Sequence, residues 1–285
     1  MEIGWQQIEG VVDHALAEDL GWGDVTTQAV IPPELQGKAS IAAKASGVLA
    51  GTEVARMVFY RVDPSLQFEL LIPEGSKVQP GDVIAKVEGR VASILQAERV
   101  ALNFLQRLSG IASETRRYVE AIKGLNSRIM DTRKTTPGLR FLEKYAVRVG
   151  GGYNHRLHLG DWILIKDNHL VVLRGQGMSL KEVIAKAKQK THALRVEVEV
   201  KAAEEAREAA DAGADIVMLD NMSLEEMRHA VGLVNHRALL EASGGITLDN
   251  VRKVAETGVD FISVGALTHS AKSLDISLEL EGSFS

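Results

Sequence analysis

Along the second half of the chain, short apolar runs recur at residues 127–131, 162–165, 196–200, 216–219, 239–242 and 261–264. Each has the length of a strand. Between most of them lie polar, Ala-rich segments with apolar positions at threes and fours, at 179–190, 202–212, 223–234 and 247–257. Strands alternating with amphipathic helices predict a parallel sheet with helices outside it. The element ends agree: Asp211-Ala212-Gly213 stops a helix at glycine, and Ser223 and Thr247 stand where N-caps belong. Six strands fit an α/β barrel of fewer than eight strands or an open doubly wound sheet. The barrel is favoured, because no GxGxxG turn follows an early strand and because polar residues follow many strands rather than one switch point.

The first half reads differently. Residues 11–20 carry apolar positions at helical spacing, and 39–48 alternate loosely like a strand. Residues 74–89 (EGSKVQPGDVIAKVEG) place Pro80-Gly81 as a tight reversal, with Val83 and Ala85 alternating with polar neighbours. This predicts a hairpin like that of lipoyl-type domains, without their modified lysine, and so with a structural role. From 94 to 123 a helix is predicted by Leu95, Leu102, Leu105 and Leu108. At the far end, Leu274, Ile276, Leu278 and Leu280 alternate with Asp275, Ser277 and Glu279, a strand expected to return to the N-terminal sheet. The expected organisation is α/β: a sandwich domain from residues 1–110 plus 270–285, and a barrel from 111–269.

Composition narrows the class of function. The chain has 285 residues, 45% hydrophobic and 25% charged, which is ordinary for a globular protein. Having no cysteine, it excludes disulfides and thiolate metal sites, and with no basic leader and no run near the ~20 apolar residues of a membrane span it is expected in the cytoplasm. A net charge of -5 argues against wholesale nucleic-acid binding. Locally the balance reverses: between 131 and 170 stand Arg133, Lys134, Arg140, Lys144, Arg148, Arg156 and Lys166 against Asp131, Glu143, Asp161 and Asp167, with His155, His158 and His169 beside them. A small anionic ligand fits that segment.

In a barrel, residues just after the strands converge on one face, where barrel enzymes place their sites. Here they give cations first (Arg133-Lys134, then Lys166), carboxylates next (Glu199, then Asp220) and glycines last (Ser243-Gly244-Gly245, then Gly265). Arginine's planar fork matches a carboxylate and lysine supplies a point charge. Arg133-Lys134 would otherwise be a solvated loop. Gly150-Gly151-Gly152 sets flexible backbone before His155-Arg156. Lys166, ending the run WILI, is expected buried and in need of an anion; a Schiff-base role is the rival. In VEVEV, Glu197 and Glu199 share one face, and Glu199 with Asp220 would hold a divalent metal or a developing cation, unless Glu199 merely pairs with Lys201 or Lys166. Gly244 and Gly245 would cradle phosphate or only turn the chain.

Taken together, these stretches resemble the quinolinate phosphoribosyltransferase family: EDLGWGDVTT (18–27), AERVALNFLQRLSGIAS (97–113), DTRKTTPGLR (131–140), GGGYNHR (150–156), LIKDNH (164–169), VEVEV (196–200), LDN (219–221), EASGGI (241–246) and VGALTHS (264–270). The resemblance implies an N-terminal open-faced sandwich and an incomplete barrel. It implies that Arg133, Lys134, His155, Arg156 and Lys166 surround quinolinate, and that Arg99 reaches into a partner subunit's site, so that the enzyme is a homodimer with shared sites, or a higher oligomer built from it. Glu199 and Asp220 would face ribose and magnesium, while Ser243, Gly244, Gly245, Gly265 and His269 would hold the phosphate of phosphoribosyl pyrophosphate. Lys134, Lys166, Glu199 and Asp220 would be catalytic. The implied reaction joins quinolinate to phosphoribosyl pyrophosphate and releases carbon dioxide and pyrophosphate, giving nicotinate mononucleotide for NAD biosynthesis, with neither nucleic acid nor membrane as partner. Rival readings are a family member acting on nicotinate, a molybdenum-transport paralogue, and a phosphate-ligand sensor without catalysis.

Overall fold

The computed structural model describes residues 5–190 and 194–282. Two compact units interleave along the chain: the first takes residues 1–116, 135–151 and 267–285, the second 117–134 and 152–266.

The first unit contains α1 (Trp5–Leu20), α2 (Val25–Val30), β1 (Gln36–Ala43), β2 (Gly47–Val48), α3 (Thr52–Val62), β3 (Gln67–Leu70), β4 (Lys77–Val78) and β5 (Val83–Arg90). The long helix α4 (Val91–Ala121) follows, and α5 (Arg140–Val149) and the final strand β12 (Ile276–Leu280) come from the later segments. Its main sheet has the order β12-β1-β5-β3 and is antiparallel throughout. The alternation expected of the C-terminal segment is borne out, since Ile41 of β1 lies opposite Leu278 of β12 on one side and Ala85 of β5 on the other. Ala39, Ile41, Ala43, Ala85 and Val87 are fully buried, so one face of the sheet is core.

The expected hairpin at 74–89 is corrected. β4 pairs with β2 and β5 with β1 and β3, so the two strands flanking the turn enter different sheets. The turn itself forms at Pro80-Gly81: Asp82 N–H donates to Gln79 O, and Gly81 N–H is taken by Ala43 O of the neighbouring strand. A second correction concerns Gly150-Gly151-Gly152. A Cβ at Gly150 would lie 2.6 Å from both Ala112 O and Thr115 Cβ, so this glycine permits α5 to end hard against α4 rather than supplying slack.

The second unit holds β6 (Arg128–Met130), β7 (Ile163–Ile165), β8 (Val196–Val200), β9 (Ile216–Asp220), β10 (Leu239–Ser243) and β11 (Phe261–Ser263), all parallel in the order β6-β11-β10-β9-β8-β7. Among the described residues β6 and β7 are the two edges, which makes this an incomplete barrel. Helices α6 (Asp167–Gly175), α7 (Leu180–Lys190), α8 (Ala203–Asp211), α9 (Leu224–Val234) and α10 (Val251–Ala255) alternate with the strands, and α11 (Ala266–His269) begins after β11. Ser223 caps α9 by accepting the Glu226 N–H while Glu226 accepts the Ser223 N–H. Gly213, with φ of +88°, ends α8. Thr247, however, opens a turn, and the N-cap of α10 is Asn250, whose Oδ1 accepts the Thr247 N–H at 2.9 Å. Among the described residues no helix is long and apolar enough to cross a membrane.

Candidate active site

At the C-terminal ends of the parallel strands lies a cavity of about 350 Å³. Arg133, Lys134, His155 and Arg156 line one side, Lys166 and Glu199 the next, and Asp220 and Ser243 the side beyond. The order of cations and carboxylates expected from the strand ends is therefore reproduced around one space.

A buried acid assembles the cationic side. Asp131 follows β6 and is fully buried; its Oδ1 accepts the His155 N–H at 2.8 Å and its Oδ2 the Asn154 side-chain N–H at 2.6 Å. Two loops far apart in sequence are thereby fastened at one strand end. Arg156 is buried, donates from Nη1 to Trp162 O at 3.3 Å, and has no hydrogen-bond partner at Nε. Burial pulls its pKa down and Arg133 adds to the effect, while Glu197, Asp161 and Glu241 oppose it. Such a guanidinium keeps a buried donor that an added acceptor could satisfy.

Lys166 departs from expectation. It is exposed, because β7 ends at Ile165 and the chain turns at once into α6, whose His169 Nδ1 accepts the Lys166 backbone N–H at 2.9 Å. It still lines the cavity, from the rim and not from the core.

The carboxylate side is formed by Glu199 and Asp220 on adjacent strands, both half-buried. Lys201 forms its ion pair with Asp167, at 3.2 Å, while both Lys166 and Lys201 act on Glu199 through charge. Burial raises the Glu199 pKa and the neighbouring Asp220 raises it further. Their carboxylates offer hard oxygen donors of the kind that could hold a divalent cation.

Gly244 has φ of +92°, and a Cβ there would fall 2.2 Å from Asn221 Oδ1. Asn221 in turn donates from its backbone to Ser243 O at 2.9 Å and from Nδ2 to Asp220 Oδ1 at 3.0 Å. Glycine is thus required where the turn after β10 presses on the residue that orients Asp220. Gly244, Gly245 and Gly265 do not line the cavity; Ser243 does. Arg99 on α4 and His269 on α11, both exposed, do not line it either, and His269 Nδ1 lies 2.6 Å from Ser270 Oγ.

Below the rim are residues that sequence reasoning missed, Glu197, Glu241 and Ser263, which are buried together with the expected His155; His155, Glu197 and Glu241 bring ligand-type atoms within 4.8 Å of one another. Trp162 Nε1 donates to Glu197 at 2.8 Å, and its ring meets His155 at 4.9 Å between centroids. The signal for Glu197 was its shared face with Glu199; Glu241 sits in a run that reads as plain apolar strand.

The whole chain has relatives. The profile described as "Quinolinate phosphoribosyl transferase, N-terminal domain" matches residues 24–109 and the corresponding C-terminal domain residues 111–279. A probable nicotinate-nucleotide pyrophosphorylase (carboxylating) of Bacillus subtilis is 45% identical over 96% of this chain and 93% of its own. A quinolinate phosphoribosyltransferase (decarboxylating) of Nicotiana tabacum is 43% identical over 96% of this chain and 82% of its own. Among solved structures, NadC from Streptococcus pyogenes superposes with a TM-score of 0.94 at 44% identity, covering 100% of this chain and 99% of that one. The nicotinate-nucleotide pyrophosphorylase from Francisella tularensis gives 0.93 at 39% identity over 98% of each. Both domain profiles and these near full-length matches lead to one conclusion: the chain belongs to the quinolinate phosphoribosyltransferase family and is a phosphoribosyltransferase enzyme.

Proposed function

We propose that the chain transfers the phosphoribosyl group of phosphoribosyl pyrophosphate to the ring nitrogen of quinolinate, with loss of carbon dioxide and pyrophosphate, yielding nicotinate mononucleotide for NAD biosynthesis. One observation carries this reading: Arg133, Lys134, Arg156 and Lys166 share a cavity of about 350 Å³ that also holds Glu199 and Asp220. Four cations around so small a space suit an anionic ligand, and a planar dicarboxylate meets them with two groups.

In this scheme Arg133 and Arg156 orient the carboxylates by paired N–H donors, with Lys134 and Lys166 adding point charge at the rim. As pyrophosphate departs, the ribose carbon becomes cationic, and Glu199 and Asp220 stabilise it electrostatically from the adjacent strands. Magnesium held by Glu199 and Asp220 would neutralise charge on the pyrophosphate oxygens. Ser243 and the backbone at Gly244, Gly245 and Gly265, with His269, are read as the phosphate side. Arg99 is read as entering the site of a second copy, so the working enzyme is a homodimer, with the cytoplasm as its compartment.

The test is calorimetry with quinolinate, nicotinate and phthalate at fixed ionic strength, beside an assay for nicotinate mononucleotide with magnesium present. Quinolinate and phthalate are expected to bind far more tightly than nicotinate, and only quinolinate to react. Equal affinity for nicotinate would overturn the dicarboxylate assignment.

A further inference from the structure

Beneath Glu199 and Asp220 the sheet carries a second pair of inward carboxylates, Glu197 on β8 and Glu241 on β10, both fully buried. Their surroundings differ. His155 Nδ1 accepts the backbone N–H of Arg156 at 2.8 Å, so the neutral ring carries its proton on Nε2, and Nε2 lies 3.2 Å from Glu197 Oε2. With the Trp162 N–H as well, Glu197 is served by two donors. Glu241 is not. Its Oε1 accepts the Ser263 hydroxyl at 2.5 Å, His155 Nε2 stands 3.6 Å away, and Oε2 is buried with no hydrogen-bond partner. An ionised oxygen in that position, beside a second carboxylate, carries a desolvation penalty that protonation removes. Burial and then the Glu197 charge push the Glu241 pKa up to about 7. Glu241 also lines the cavity that holds the four cations. It stands on the floor of the substrate space as a carboxyl that holds its proton more firmly than an ordinary one.

We infer that Glu241 is the proton donor of the reaction, delivering its proton to the ring carbon from which carbon dioxide leaves. The inference rests on the quinolinate reading. Once the ring nitrogen is ribosylated, the bond from ring carbon to carboxylate breaks, carbon dioxide departs, and the electron pair stays on carbon beside the positive nitrogen. The Glu241 O–H then breaks, its proton bonds to that carbon, and its electron pair remains on the carboxylate. Water reprotonates Glu241 after product release. Charge favours this donor over its neighbours. Arg133 and Arg156 do not give up protons, the His155 N–H is directed at Glu197, and Lys134 and Lys166 lie at the exposed rim. Before the step the substrate's pyridine portion carries two carboxylates and Glu241 none; after it, each carries one. The cationic cavity therefore keeps the same compensating charge while its ligand loses a carboxylate.

The full chain is assayed with quinolinate, phosphoribosyl pyrophosphate and magnesium, alongside calorimetry with phthalate. Glu241→Gln keeps a neutral side chain and deletes the acid. Its phthalate affinity should stay within about threefold of the parent, while kcat falls by roughly 10²–10⁴-fold. The parent's kcat/KM should decline as pH rises through about 7, and that limb should vanish in Glu241→Gln. A variant as active as the parent overturns the inference, as does a loss of phthalate binding that matches the loss of turnover. If Glu241→Gln does not fold, Glu241→Asp and the parent's own profile decide: Asp must keep a descending alkaline limb, and a flat parent profile across neutral pH refutes the acid. A parent that makes no nicotinate mononucleotide overturns the function and the inference together, whereas an active parent with an active Gln variant overturns only the latter.

Discussion

Asp131 Oδ1 accepts the backbone N–H of His155 at 2.8 Å, a bond that spans 24 positions of sequence. Through it the end of β6 dictates where Arg156 stands. Asp131→Ala removes the acceptor and leaves a buried N–H without its partner, at a cost of about 1–3 kcal/mol. We expect a lower melting temperature and a quinolinate KM raised roughly tenfold or more, with Asp131→Asn milder because it retains one acceptor oxygen. Steady-state kinetics and thermal melting on both variants check this; unchanged KM in the alanine variant would show that the loop holds its place by other means.

Glu199→Gln and Asp220→Asn remove charge that is needed chiefly when the ribose carbon is cationic. Turnover should fall by about 10²-fold or more, with phthalate affinity nearly unchanged. Chelation of divalent ions should silence the parent enzyme and added magnesium should restore it. Losses confined to binding would make these acids ground-state ligands instead.

Arg99 is exposed on α4 and does not line the cavity. Arg99→Ala and Lys134→Ala should each be nearly inactive alone. Mixed dimers of the two, formed by co-refolding, contain one site with neither lesion, so activity should partly return. Mixed dimers shown by mass spectrometry to be present yet inactive would refute site sharing.

These expectations show which features are legible in sequence. The six strands were readable because each is a buried parallel strand bounded by polar or glycine-rich turns, and their ends named Arg133, Lys134, Lys166, Glu199 and Asp220 by position alone. Periodicity cannot say which strands pair. β4 and β5 flank a turn yet belong to different sheets, since Gly81 and Asp82 bond to Ala43 rather than closing a ladder between them. Lys166 was misjudged because an apolar run does not reveal where the strand stops. Glu241 was missed because burial of a carboxyl inside LLEAS becomes intelligible only once Glu197, His155 and Ser263 surround it.

Stability should have its own acid. Asp63, buried in the first unit, accepts from the Ser65 N–H at 3.0 Å, the Ser65 hydroxyl at 2.6 Å, Arg90 at 2.8 Å and the Ser93 hydroxyl at 2.7 Å. Burial alone would raise its pKa, but these donors overcome it and hold the carboxyl well below the usual range. A depressed native pKa stabilises the fold above the unfolded pKa, and that contribution is lost as pH falls through the native value. Asp63→Ala should cost about 1–3 kcal/mol at neutral pH, because it leaves the buried Ser93 hydroxyl without its acceptor. Denaturant titrations at several acidic pH values should show the gap between parent and variant closing as pH drops. A gap that is constant with pH would assign the loss to packing.

The pairing of β1 with β12 joins residue 41 to residue 278. During synthesis, β1 is made early, and its outer edge keeps unpaired peptide groups until residues 276–280 have emerged. Every ribosome partway through the message therefore carries an open strand edge for most of its transit. Stalled or truncated chains lacking those residues should be ready templates for edge-to-edge aggregation.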